Sequence, residues 1–268
     1  MKQLYEYAFI GIGNMASAIM SGMHTDSVLM YARRPESYAP FAHRNFGQAE
    51  SIPDAVTRAK RIVLTVKPQN FEEILTEIRE SGVSLAEKTF VSVAAGISTG
   101  YICRMLGQTL PVVRTMPNTP LLCGKGVTAL SRNEWVSDEE FAAVSSLFSS
   151  CGSIICLPEE QMNAIISVNG SSPAYVYLMI DAMIQAAAAQ GFAPEAMRNV
   201  VCDVLIGAAE MVRSSDKTPA ELIRAVTSPN GTTERAMKVL DERDFRGMMQ
   251  EAMLACTARA DELSETWK

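Results

Sequence analysis

Short, wholly apolar runs alternate with amphipathic stretches over the first half of the chain. Tyr7-Ala8-Phe9-Ile10 is followed at once by Gly11-Ile12-Gly13-Asn14-Met15-Ala16. Ile12, Met15, Ile19, Met20 and Met23 then recur at helical spacing, so the segment reads strand, glycine turn, helix. Val28-Leu29-Met30-Tyr31 ends at Ala32-Arg33-Arg34-Pro35. Ile62-Val63-Leu64-Thr65-Val66 ends at Lys67-Pro68-Gln69, and Thr89-Phe90-Val91-Ser92-Val93 ends at Ala94-Ala95-Gly96. Helical patterns fill the gaps, for example residues 71–80. Strands apolar on both faces, separated by helices, predict a parallel sheet covered on both sides. Shorter units continue the pattern: strands at 111–114, 126–130 and 153–157, with a capping box, Ser137-Asp138-Glu139-Glu140, opening a helix to about residue 150.

Strand signals stop at Pro158. Thr218-Pro219-Ala220-Glu221 is a second capping box with proline in the first turn, and residues 233–266 read as two further helices. The change from α/β to all-α places a domain boundary near residue 157, giving domains 1–157 and 158–268. Residues 174–189 form a helix that is apolar on every face apart from Asp181 and Gln185. Such a helix must be buried all round, yet it is short for a membrane span, which needs about 20 apolar residues. A small helical domain has too little mass to cover it. The expectation is a large subunit interface, an intertwined helical dimer, with Asp181 paired to a cation or a helix end across it. A central helix of a monomeric bundle is the alternative.

Composition narrows the function. Of 268 residues, 48% are hydrophobic and 20% charged, so the chain buries a real core. A net charge of −6 argues against nucleic acid or an anionic membrane as partner. Six cysteines without a Cys-x-x-Cys pair, and only His24 and His43, argue against a zinc site or any other metal centre. The start, Met1 to Tyr7, lacks the long apolar stretch of a secretion signal, so a reduced, cytoplasmic setting is expected. Chemistry that needs histidine has little to draw on.

The glycine turn carries the first specific signal. Gly11 permits a tight turn, Gly13 lets backbone approach a pyrophosphate, and Ala16 keeps the helix close to the strand. The free amides of the helix start then hold phosphate. NAD sites usually place an acid at the end of the second strand. Here that position holds Arg33 and Arg34, and the first acid is Glu36, beyond Pro35. Two guanidiniums suit a 2′-phosphate, which predicts NADPH, with NADH possible; two solvated loop arginines are the plainer reading. Lys67 and Ala94-Ala95-Gly96 end neighbouring strands, and Lys67 is placed to face phosphate or ribose, an ordinary exposed lysine being the plainer reading.

Four more segments are too specific to be composition: Met116-Pro117-Asn118-Thr119-Pro120, Gly170-Ser171-Ser172-Pro173-Ala174-Tyr175, Thr218 to Leu222, and Ser228-Pro229-Asn230-Gly231-Thr232-Thr233. With the glycine turn and Val66-Lys67-Pro68-Gln69 they make the chain resemble the pyrroline-5-carboxylate reductase family from about residue 7 to 263. That resemblance implies an N-terminal Rossmann-type doubly wound sheet and a C-terminal all-α domain that interlocks two subunits, with dimers often joining into decamers. It implies reduction of L-1-pyrroline-5-carboxylate to L-proline by hydride from a nicotinamide. Gly11, Gly13, Asn14, Met15, Ala16, Arg33, Arg34, Val66, Lys67, Pro68, Ala95, Gly96 and Asn118 fall on the cofactor. Ser228, Gly231, Thr232, Thr233, Asn118 and Ser171 fall on the substrate, with Thr233 the catalytic candidate that hydrogen-bonds the ring nitrogen.

The loop at 228–233 supports this on physical grounds, since free amides and two hydroxyls before a helix near Glu234 make a carboxylate site without a cation. Three positions depart from the family pattern. Ser172 stands where glycine is usual. Asn230 stands in place of glycine and is expected to keep a left-handed turn. Ser51-Ile52-Pro53-Asp54 lacks an asparagine that relatives often carry for a cofactor contact. A β-hydroxyacid dehydrogenase would resemble its relatives in a lysine on the first long helix after the sheet, and residues 158–190 contain no Lys, Arg or His. The remaining alternative is a catalytically silent NADP-binding sensor.

Overall fold

The computed structural model describes residues 4–267. Met1, Lys2 and Gln3, part of the start weighed above, and Lys268 lie outside the described residues. The chain divides into two compact units, Met1–Pro173 with Cys256–Lys268, and Ala174–Ala255.

In chain order the elements are β1 (Tyr5–Ile10), α1 (Asn14–Ser21), β2 (Val28–Tyr31), β3 (Gly47–Gln48), α2 (Ile52–Arg58), β4 (Ala59–Leu64), α3 (Phe71–Glu80), β5 (Thr89–Ser92) and α4 (Thr99–Leu106). There follow β6 (Val112–Met116), β7 (Gly126–Arg132), α5 (Asp138–Ser149) and β8 (Gly152–Cys156). The strands form one sheet in the order β3-β2-β1-β4-β5-β6-β7-β8. β1 pairs in parallel with β2 on one side and β4 on the other, so connections wind outward in both directions from the β1–β4 junction.

Alternation along the strands builds two cores. Ala8, Ile10, Ile62, Leu64, Phe90 and Val112 face one layer, which α2, α3 and α4 cover with Val56, Leu75 and Ile102. Tyr7, Phe9, Val63, Val91 and Val113 face the other, where α1 and α5 supply Ile19 and Phe148. Complete burial of each large side chain contributes about 1.5–3 kcal/mol, so the apolar runs are explained by two-sided cover.

The all-parallel expectation needs correction at β7, which runs antiparallel to β6 with Thr115 opposite Leu130. The link from Met116 to Gly126 is shorter than the dozen or so residues of a parallel crossover, so the chain has to turn back. The Ser137 box is also only half formed. Ser137 Oγ accepts from the Glu140 N–H at 3.2 Å, but the Glu140 carboxylate is drawn inward to Lys60 (2.5 Å) and Arg61 (2.9 Å).

Helices α6 (Ser172–Ala189), α7 (Pro194–Ser214), α8 (Pro219–Val226), α9 (Thr232–Glu242) and α10 (Phe245–Glu265) follow. At α8 the Thr218 box is complete: Thr218 Oγ1 accepts from Glu221 N–H, and Glu221 accepts from Thr218 N–H. Within Ala174–Ala255, Val201 is the one buried residue, and Tyr177, Leu178 and Met183 of α6 stand exposed. Asp181 accepts a hydrogen bond within its own helix, from Gln185 Nε2 at 2.6 Å. All six cysteines are free thiols, and no described helix is long and apolar enough to cross a membrane.

Candidate active site

The ends of β1, β2 and β4 open into a cleft of about 250 Å³ at the point where the sheet winding reverses. Open α/β sheets bind ligands at that place. Gly11, at φ +93°, is required there, since a Cβ would sit 2.5 Å from Val66 Cγ1. Thr65 Oγ1 donates to the Gly11 carbonyl at 2.5 Å and ties the turn to β4. Gly13 N-caps α1 without a side chain, and the space beside its Cα is open. A group approaching the α1 amides therefore meets backbone alone, as a pyrophosphate requires. Ala16 is fully buried. The residues present thus fit a dinucleotide.

At the outer end of the cleft, Tyr38 Oη accepts from Ala32 N–H at 2.8 Å and donates to Ala32 C=O at 3.1 Å. This clasp fixes the loop that carries Arg33 and Arg34. Both arginines line the cleft with Lys67, Ser37 and Asn70. Arg33 Nη2 also donates to Glu73 Oε1 at 2.6 Å. That hydrogen bond and its charge push the Arg33 pKa up from its ordinary value. The Ser51 segment serves as a helix cap, with Ser51 Oγ accepting from Asp54 N–H.

Asn14, Met15, Ala16, Pro68, Ala95, Gly96 and Asn118 are not among the residues lining this cleft. Gly96, at φ +78°, packs on the last turn of α10, where a Cβ would meet Ser264 Oγ at 3.4 Å. Asn118 is buried with both ends of its amide in use. Its Nδ2 donates to Asn169 C=O at 3.0 Å, and its Oδ1 accepts from Val127 N–H at 2.9 Å. Asn169 in turn donates to the Met116 and Val127 carbonyls. Two asparagines therefore cross-link the end of β6, the start of β7 and the turn leading to Ser171. Ser171 Oγ lies 3.2 Å from Cys256 Sγ.

Ser228, Gly231, Thr232 and Thr233 belong to the helical unit. Asn230 adopts φ +57°, the left-handed turn expected of it, and donates its N–H to Glu234 Oε2 at 2.8 Å. Gly231 N–H closes the turn on Ser228 C=O at 3.0 Å, and a Cβ on Gly231 would lie 2.9 Å from that oxygen. α9 begins at Thr232, two residues before the expected Glu234, so both threonines stand in its first turn. Its leading amides have no partner within the helix. Asn230, Gly231 and Glu234 share a cavity of about 560 Å³ with Arg235 and Lys238. Sequence reading missed these two cations, although Arg235 lies one helical turn beyond Gly231 and Lys238 one turn beyond that.

Comparison with known proteins agrees with the motifs. A family model described as pyrroline-5-carboxylate reductase dimerisation matches residues 159–263. A second, described as NADP oxidoreductase coenzyme F420-dependent, matches residues 6–96. A pyrroline-5-carboxylate reductase of Pseudomonas aeruginosa is 37% identical, with 96% of each chain covered. The chain belongs to the pyrroline-5-carboxylate reductase family. Among solved structures, a pyrroline-5-carboxylate reductase from Coxiella burnetii superposes with a TM-score of 0.88 at 30% identity, covering 98% of this chain and 99% of that one. The pyrroline carboxylate reductase of Plasmodium falciparum, solved with NADP bound, gives 0.88 at 27% identity over 97% and 98%.

Proposed function

We propose that the chain reduces L-1-pyrroline-5-carboxylate to L-proline with NADPH, NADH being the weaker alternative. The observation that carries this is 37% and 34% identity to two pyrroline-5-carboxylate reductases, each over 96% of this chain. Residues 1–157 hold the cofactor and 158–268 dimerise and hold the substrate. The C-terminal helices join two copies, and dimers assemble further, up to a decamer.

When bound, the reduced nicotinamide supplies hydride to the imine carbon. The chain's own residues orient the partners and exclude water. The amides of Gly13 and the α1 start receive pyrophosphate, and Arg33, Arg34 and Lys67 face the ribose end. Ser228, Gly231, Thr232 and the α9 start take the substrate carboxylate, with Arg235 adding positive charge. Thr233 Oγ1 hydrogen-bonds the ring nitrogen, whose proton comes from solvent. Asn118 and Asn169 hold the loop that shapes the nicotinamide end, and Ser171 contacts the substrate. No histidine is needed.

The test is steady-state oxidation of NADPH and NADH with pyrroline-5-carboxylate, with L-proline identified by mass spectrometry. Turnover with NADPH is expected, and Thr233→Ala is expected to lower kcat/KM about 10- to 100-fold, the worth of a hydrogen bond to a charged group. Tight NADPH binding without turnover would replace the reductase with the sensor.

A further inference from the structure

The second strand ends in arginines and lacks the acid that marks a free ribose. The fold returns an acid to that place from elsewhere. Glu73, in the first turn of α3 and 40 positions along the chain, accepts from Arg33 Nη2 at 2.6 Å. Glu77, one turn further on, adds to the field on Arg33. Both partners of the 2.6 Å pair are more than half exposed, so the pair contributes little to folding. Its position matters more, because Arg33 lines the cleft at the ribose end. Arg34 is held only loosely, 3.8 Å from Glu36, and Lys67 stands on the opposite strand end.

We propose that Glu73 is a specificity-determining residue that narrows the preference for a 2′-phosphorylated nucleotide over one with a free 2′-hydroxyl. This rests on the dinucleotide reading of the cleft. A 2′-phosphate has to share the Arg33 guanidinium with a carboxylate already bonded to it, and the two anions repel one another across it. A 2′-hydroxyl carries no charge and suffers no such penalty. Arg34 and Lys67 still favour phosphate, so discrimination is reduced and not reversed. The site is intermediate between an acid-ended and an arginine-ended strand. It uses both signs of charge, one from the β2 loop and one from α3.

The test is calorimetric titration of the full chain with 2′,5′-ADP and with 5′-ADP at low salt, comparing wild type with Glu73→Gln. Glu73→Gln is expected to tighten 2′,5′-ADP about threefold to tenfold and to leave 5′-ADP within about twofold, with an unchanged Tm. Glu80→Gln removes the same charge about 10 Å further along α3 and is expected to move neither constant. An unchanged ratio of the two constants in Glu73→Gln overturns the proposal. So does weaker 2′,5′-ADP binding, which is the signature of a residue that merely braces Arg33. A wild-type chain that binds neither nucleotide defeats the dinucleotide reading itself, a result distinct from both.

Discussion

The sheet unit and the helical unit solve the problem of burial in opposite ways. Around the sheet, Phe9, Phe71, Phe90 and Phe148 are completely enclosed within one chain, in two cores. In Ala174–Ala255, Val201 alone is buried, while Leu178 is 70% exposed and Ile206 68%. Exposed apolar area on this scale marks an interaction surface. The contrast teaches that the sheet unit closes its core within one chain whereas the helical unit leaves apolar surface uncovered, and residues 159–263 match a family model of dimerisation. It also divides the proposed chemistry: the cleft that fits a dinucleotide is assembled from one unit, and the loop proposed to take the carboxylate belongs to the other.

The comparison breaks most visibly if the helical surface is charged. Leu178→Lys is expected to give monomers by sedimentation and to lose more than about 100-fold of turnover, because an unpaired charge cannot be buried. NADPH binding should stay within about threefold. A smaller effect sharpens the account of the cleft. Gly11→Ala forces a Cβ against Val66 at φ +93° and should lower both Tm and NADPH affinity. Gly13→Ala enters open space, so it should keep Tm and weaken NADPH alone, about tenfold.

The smallest effect concerns pH. Burial pushes the Glu140 carboxyl up, but hydrogen bonds and charge from Lys60 and Arg61 outweigh it and hold the group below the usual carboxylate range. A depressed folded value means stability that is complete above the unfolded value of about 4.3 and fades as pH falls through the folded one. Glu140→Gln should therefore lower Tm by roughly 4–8 °C near neutrality and converge with wild type in acid, as thermal melts across pH would record.

Much of the sheet unit was legible because an apolar run between turn residues has few other meanings. Direction was not, since Gly126-Val127-Thr128-Ala129-Leu130 reads alike either way, although the short link from Met116 forbade a parallel return. β3 has two residues and no pattern of its own. Among the candidate positions, the glycine turn and the turn at 228–233 were legible because their geometry is local. Glu73 on Arg33, Glu140 on Arg61 and Asn169 on Met116 were not. Each joins residues 40 or more positions apart, and which long-range partners meet is decided by the sheet order. The apolar run of α6 was legible as an anomaly, and Tyr177, Leu178 and Met183 stand exposed on it.

Sedimentation equilibrium of the purified chain at micromolar concentration tests the central claim most directly. The account predicts no species at the 29.2 kDa of one chain and a mass that is an even multiple of it. A stable 29.2 kDa monomer that melts cooperatively and turns over pyrroline-5-carboxylate would contradict it.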